Sequence, residues 1–169
     1  MKEIDYIASE EVVADRIATK TGYVGVRSRN KHARIDRIFS DADGTIRSLV
    51  EIKTRPDLAL SDFIRIQTVW VDEQKIEDGI VLSEMIGAPF FVFIRTLKDD
   101  AVFWIKICDE KARRLVQYEV REVLAQKNCH SDEKVKKERA FIPIGEFTVF
   151  NYDGRQPGLW ETLENNAAQ

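Results

Sequence analysis

The feature that most constrains this chain is a turn. Asp41-Ala42-Asp43-Gly44 separates two β-like runs, 33–40 and 45–54, in which apolar and polar residues alternate. Asp-Gly between such runs is a strong short-range hairpin signal, because both residues tolerate positive φ. A two-residue turn on Asp43-Gly44 pairs Ala42 with Thr45 and Asp41 with Ile46. The same count carries Asp36 directly opposite Glu51. Lys53 lies two residues beyond Glu51 and therefore on the same face, since side chains along a strand alternate. A four-residue loop on the same centre keeps this register, whereas a three-residue loop shifts it by one.

Two carboxylates directly opposed on one sheet face repel each other. A divalent cation between them removes the repulsion, and hard oxygen ligands suit Mg²⁺. Raised pKa values with a shared proton are the other physical solution. A lysine beside the pair can hold a water or stabilise charge that builds on a phosphate. Leu49, Val50 and Ile52 surround these charges in sequence, as in a strand covered on at least one face.

The remaining pattern completes an α/β chain. Ile4, Ile7, Ala8, Val12, Ala14, Ile17 and Ala18 predict an amphipathic helix over 4–20, stopped by Gly22. A short strand is predicted over 23–27, and Pro56 ends the third run; 57–69 is expected to be a loop with room for short structure. A helix over 72–86 follows, with Asp72 as N-cap and Gly87 at its stop. The continuous apolar run 90–96 suits a buried central strand, and Lys98-Asp99-Asp100 turns into a further strand, 101–107. Beyond it the pattern predicts a charged helix over 109–127, a polar loop over 130–137 and short strands over 141–144 and 147–152. The core order is α-β-β-β-α-β-β, a mixed sheet flanked by helices, with a helical and short-strand C-terminal extension. The 45–54 and 90–96 runs, joined by a crossover helix, are expected to pair in parallel. With no repeat or linker, 1–169 is taken as one domain with its core at about 4–107 and the extension at about 108–169.

Composition matters here through its unevenness. The net charge is −3, yet residues 16–37 carry seven basic residues against one acid, and 111–139 nine against five. A polyanion would meet the first stretch far more readily than the acidic segment 54–110. Arg27, Arg29, Lys31 and Arg34 are the candidate nucleic-acid contacts. The basic residues Arg113, Arg114 and Arg121, with the Lys134-Lys136-Lys137 run, are further candidates outside the cleft. Cys108 and Cys129, the two cysteines, have no partner motif, and the acidic N-terminus has no apolar signal core, so a reduced, cytoplasmic protein is expected. His32 and His130 lie too far apart in sequence, without neighbouring cysteines, to suggest zinc. Gly-rich phosphate loops and a nucleophile elbow are missing from the sequence.

Ile35-Asp36, followed after fourteen residues by Glu51-Ile52-Lys53, resembles the motif of the PD-(D/E)xK nuclease superfamily, with Ile35 in the place of the usual proline. The predicted element order over about 4–107 matches the core of that restriction-endonuclease-like family. The resemblance implies a Mg²⁺-dependent nuclease, with Mn²⁺ as a substitute, that hydrolyses the phosphodiester bonds of nucleic acid, DNA in particular. It implies that Asp36, Glu51 and the backbone carbonyl of Ile52 hold the metal and that Lys53 positions the attacking water. Glu11, eleven residues before Gly22, corresponds to the helical glutamate that completes the metal site in many members, with Glu10 as the fallback. Gln74 and Lys75 correspond to residues early in the crossover helix that approach the site. Asp72-Glu73-Gln74-Lys75 leading to Gly87-Ala88-Pro89-Phe90 is similar to phage and prophage nucleases of this class. Two alternatives remain open: a structure-selective, Holliday-junction-resolvase-like homodimer, and a catalytically silent binding or assembly subunit with the same fold.

Overall fold

A computed structural model describes residues 5–28, 34–127 and 132–150. Helix α1 (Tyr6–Thr21) is capped by Asp5, whose side chain accepts from the Ala8 amide at 2.9 Å. It ends on Gly22 in the left-handed conformation, φ 74°. Strands β1 (Val24–Arg27), β2 (Arg37–Ser40) and β3 (Ile46–Arg55) form an antiparallel meander. Helix α2 (Leu60–Ile66) and strand β4 (Thr68–Asp72) lead into helix α3 (Glu73–Ile86), which ends on Gly87 at φ 75°. Strands β5 (Phe90–Thr96) and β6 (Val102–Cys108) follow, then β7 (Glu119–Gln126), β8 (Lys134–Pro143), a 3₁₀ turn (Ile144–Glu146) and β9 (Thr148–Val149).

Six strands make the main sheet, in the order β1-β2-β3-β5-β6-β9. β3 and β5 pair in parallel and every other neighbour is antiparallel, so the sheet is mixed, as expected from the crossover through α3. β3 lies near the centre and is covered on both sides. Val50 and Ile52 pack with Val13, Ala14 and Ile17 of α1, while Leu49 belongs to the larger core with Ile76 of α3. Each fully buried side chain of this size contributes about 1.5–3 kcal/mol. α3 comes close to the sheet at Gly79, where any Cβ would overlap the ring of Phe90.

The β2–β3 register comes out as counted, by a different route. The Asp41 amide donates to the Thr45 carbonyl and the Gly44 amide to that of Asp41, both at 3.0 Å, and Gly44 has φ 79°. The loop is thus three residues long, and it sets Ser40 opposite Ile46. Phe39 then faces Ser48, which leaves Arg47 as an extra residue on β3. This bulge cancels the shift that the loop introduced, giving Ile38 opposite Leu49 and Arg37 opposite Val50.

Several expectations are corrected or sharpened. The segment 57–69, expected to be a loop with room for short structure, holds α2 and the start of β4. The expected N-cap, Asp72, occupies that position, but its side chain makes no cap hydrogen bond. The largest correction concerns 109–127, which is not a helix. A tight turn after β6 bridges Cys108 to Arg114, and the chain then runs straight into β7. Asp109 organises that turn by accepting from the amides of Lys111 and Arg113 at 3.0 and 2.9 Å. β7 pairs with β8 over eight residues, and β8 pairs with β4 to form a second, three-stranded sheet. The expected loop over 130–137 therefore contributes Lys134–Lys137 to β8; 128–131 lie outside the described residues. Of the expected terminal strands, 141–144 falls on the end of β8 and the start of the 3₁₀ turn, and the described part of 147–152 contains β9, with 151 and 152 outside the described residues. No helix among the described residues is long and apolar enough to cross a membrane.

Candidate active site

Asp36 precedes β2 and is fastened to β3 twice. Its amide donates to the Val50 carbonyl at 3.1 Å, and its Oδ2 accepts from the Ile52 amide at 2.7 Å. The carboxylate therefore takes over the ladder where β2 has not yet begun. In a strand the N–H and C=O of one residue point to the same edge, so the Ile52 carbonyl also opens on the Asp36 side. Backbone geometry brings Asp36, Glu51 and Ile52 to one place.

Glu51 is wholly buried, at 0% exposure, and neither carboxylate oxygen has a hydrogen-bond partner of good geometry. Two ammonium groups approach Oε1 as ion pairs: that of Lys53, in close contact, and that of Lys75 from α3, at 3.4 Å. Burial pushes the Glu51 carboxyl above its ordinary range, and the charge of Asp36 adds to this, while Lys53 and Lys75 oppose it. Burial pulls the Lys53 ammonium down, but attraction to Glu51 and Asp36 outweighs it and its pKa ends above the ordinary value. Lys53 is held as a cation. A buried carboxylate costs several kcal/mol unless charges or hydrogen bonds compensate it, and here two cations offset the cost at Oε1 while Oε2 takes part in neither ion pair.

The two glutamates of α1 take different paths. Glu11 forms an ion pair with Arg37 at 2.5 Å on the α1 side of the sheet. Glu10 is the one that feels the site: burial foremost, then the charge of Asp36, raises its pKa, while Arg27, Lys53 and Arg37 lower it. Together with Lys53 and Ile52 it lines a polar cleft of about 470 Å³. The signal for Glu10 was present in the sequence. Val13, Ala14 and Ile17 follow it at the i+3, i+4 and i+7 spacing of one helix face, and these three are buried. Counting turns back from Gly22 favoured its neighbour.

The crossover helix divides similarly. Lys75 reaches Glu51, whereas the amide of Gln74 donates to Asp78 at 3.0 Å along the exposed side of α3 and is not brought to the site. Of the basic candidates, Arg27 lies 3.9 Å from Glu10 and Arg34 is exposed beside it in a shallow groove with Ile35 and Arg37. Arg29 and Lys31 lie outside the described residues. Arg113 and Arg114 are engaged with Asp109 and Glu77, and Arg121 pairs with Glu119.

Among the described residues, no three His, Cys, Asp or Glu side chains already form a metal cage. The donors at hand do fit a hard divalent cation: the Glu51 carboxylate, whose Oε1 already draws two ammonium groups, the second oxygen of Asp36, the Ile52 carbonyl and the half-buried Glu10. The ammonium groups on Glu51 show that the position accepts positive charge.

No known protein-family profile matches the chain, nor does any curated protein sequence. Among solved structures it is similar to Hjc, a Holliday junction resolvase of Archaeoglobus fulgidus, at 11% identity over 78% of each chain with a TM-score of 0.43.

Proposed function

We propose that this chain is a Mg²⁺-dependent nuclease that hydrolyses phosphodiester bonds of nucleic acid, with DNA as the substrate its motif implies. The observation that carries the reading is Glu51, a fully buried carboxylate without hydrogen bonds, set beside Asp36 and under Lys53. Such an arrangement costs stability unless it has a use.

In this reading Asp36 and Glu51 hold the metal, with Glu10 and the Ile52 carbonyl completing the set in preference to Glu11. When bound, Mg²⁺ supplies the charge that acidifies water and stabilises the phosphate as it is attacked. Without metal, attraction to Glu51 and Asp36 keeps Lys53 protonated. Its ammonium donates hydrogen bonds that orient the attacking water and offset charge on a phosphate oxygen. Lys75, on the opposite wall, balances the charge of Glu51 and holds that carboxylate in place.

The purified protein is to be incubated with plasmid, linear, single-stranded and four-way-junction DNA in Mg²⁺ or Mn²⁺. Wild type should cut at least one of them. Asp36→Ala and Lys53→Ala should each lose about 10²–10³-fold in rate. Variants that cut as fast as wild type would sink the site assignment. Cleavage confined to junctions would favour a resolvase-like enzyme over a general nuclease.

A further inference from the structure

The cleft that Glu10 and Lys53 share continues away from the carboxylates toward the β7–β8 hairpin. Its far wall is made by Arg55 at the end of β3, Asp72 at the end of β4, and Lys137 and Arg139 on β8. Lys137 and Arg139 fall on one face of β8, two residues apart, and β8 carries them over the cleft because Arg139 is paired with Asp72 in the ladder.

Positive charge is crowded here and incompletely answered. The Nε of Arg55 and the Nε of Arg139 are both buried without a hydrogen-bond partner. Arg55 is otherwise held by the Trp70 carbonyl, to which it donates at 2.7 Å, and it lies over the Trp70 ring. Burial, and after it the charge of Arg139, lowers the Arg55 pKa to about 10. Among the described residues Asp72 is the carboxylate in ion-pair range, 3.5 Å from Arg139 and 3.8 Å from Lys137, both longer than a good charged hydrogen bond. Lys137 also donates to the Lys127 carbonyl at 2.9 Å. Asp57 and Glu10 are the other acids lining the cleft. Two buried guanidinium Nε groups without a hydrogen bond, one of them answered by Asp72 only at 3.5 Å, present a place for an anion with several oxygens, which one side carboxylate does not fill.

We propose that Arg55, Lys137 and Arg139 form a seat for a phosphate of the bound nucleic-acid strand, next to the one being cut. The proposal rests on the nucleic-acid reading for its ligand, but not on hydrolysis. Glu10, Ile52 and Lys53, next to the cation-seeking Asp36 and Glu51, line one end of the cleft, and the basic cluster that lines the other end calls for an anion. Lys53 stands between them. A phosphodiester strand along the cleft places one phosphate at the metal residues and a neighbour on the arginines. In the free protein Asp72 acts as a partial internal substitute that the phosphate displaces. Such a contact positions the strand without reading its bases.

The test is binding of fluorescent single-stranded and duplex DNA, followed by anisotropy across a series of salt concentrations in EDTA, so that no cleavage occurs. Lys137→Met with Arg139→Met should weaken binding about tenfold and flatten the log–log salt dependence by about 0.9 per lost duplex contact. Lys136→Met, on the other face of β8 and paired with Glu122, controls for loss of charge alone and should change neither quantity as much. Asp72→Asn removes the internal anion and should tighten binding several-fold. This second variant keeps the proposal open to refutation if the double variant is unfolded by its melting curve. Unchanged affinity and salt slope in the double variant, weaker binding in Asp72→Asn, or no binding by wild type would each overturn the seat. Binding that changes as expected in a protein that cuts no substrate would keep the seat and remove the nuclease reading.

Discussion

Two hairpins of this molecule have nearly opposite characters. β2–β3 is short on one side, bent by a bulge, and buried: Leu49, Val50, Glu51 and Ile52 are all 2% exposed or less. β7–β8 is long, in unbroken register over eight pairs, and mostly in water, with Leu124 67% exposed. The regular hairpin is the one that carries little core, and the irregular one holds the candidate chemistry. Regular pairing satisfies backbone groups wherever it occurs, so it needs no dense packing. A bulge and a charged residue under a sheet persist only where surrounding packing over-determines them. The first hairpin therefore draws its geometry from the core, and the second from its own ladder.

That contrast can be broken by stability measurements. The largest expected effect is Leu49→Ala, which leaves a cavity between β3 and α3 and should cost about 2–5 kcal/mol in urea unfolding. Leu124→Ala on β7 should stay within about 0.5 kcal/mol. Equal losses would show that β7–β8 is packed as tightly as β2–β3. Gly44→Ala comes next. Its φ of 79° is strained for any residue with a Cβ, so the change should cost about 1–2 kcal/mol. A neutral result would mean that the loop relaxes to another form, and the Arg47 bulge would then lose its role in restoring register.

The finest test is the pH dependence of metal-free protein. The raised Glu51 pKa means that the folded state keeps a proton that the unfolded chain releases near 4.5. Its contribution to stability is therefore complete below that value and is lost as pH rises through the folded pKa. Glu51→Gln does not titrate. Its stability relative to wild type should rise from about pH 4.5 toward neutrality in EDTA, and Mg²⁺ should reverse the trend for wild type only. A difference independent of pH would mean that Lys53 and Lys75 cancel the desolvation completely.

The same contrast explains what could be read from sequence. β3 was legible because Leu49-Val50-Glu51-Ile52-Lys53 is apolar around its charges and Pro56 follows its end. The Asp36–Glu51 proximity was legible as well, although two errors of one residue, the loop and the bulge, had to cancel. β7 was not legible. Glu119-Val120-Arg121-Glu122-Val123-Leu124-Ala125-Gln126 has no apolar face at period two, and six of its eight residues favour helices. What makes it a strand is β8, whose partner ladder lies outside any local window. Glu10 was obscured for a different reason. It shares the buried stripe of α1, but a carboxylate is not counted when apolar residues define that stripe. The arginine seat brings Arg139 to Arg55 through another unforeseen ladder, the β4–β8 pairing of Arg139 with Asp72, so no spacing rule could have placed them together.

The glycine at 79 sets a dimension. It sits one helical turn beyond Lys75, where the backbone of α3 rests almost on the Phe90 ring. The absence of a single methyl group thus calibrates how deep the helix lies, and with it the reach of an ammonium carried one turn away. An alanine there would act as a shim, lifting the helix and drawing the Lys75 ammonium back from Glu51. The tolerance of the charge balance at the buried carboxylate is, in this sense, machined into a residue that bears no charge and touches none.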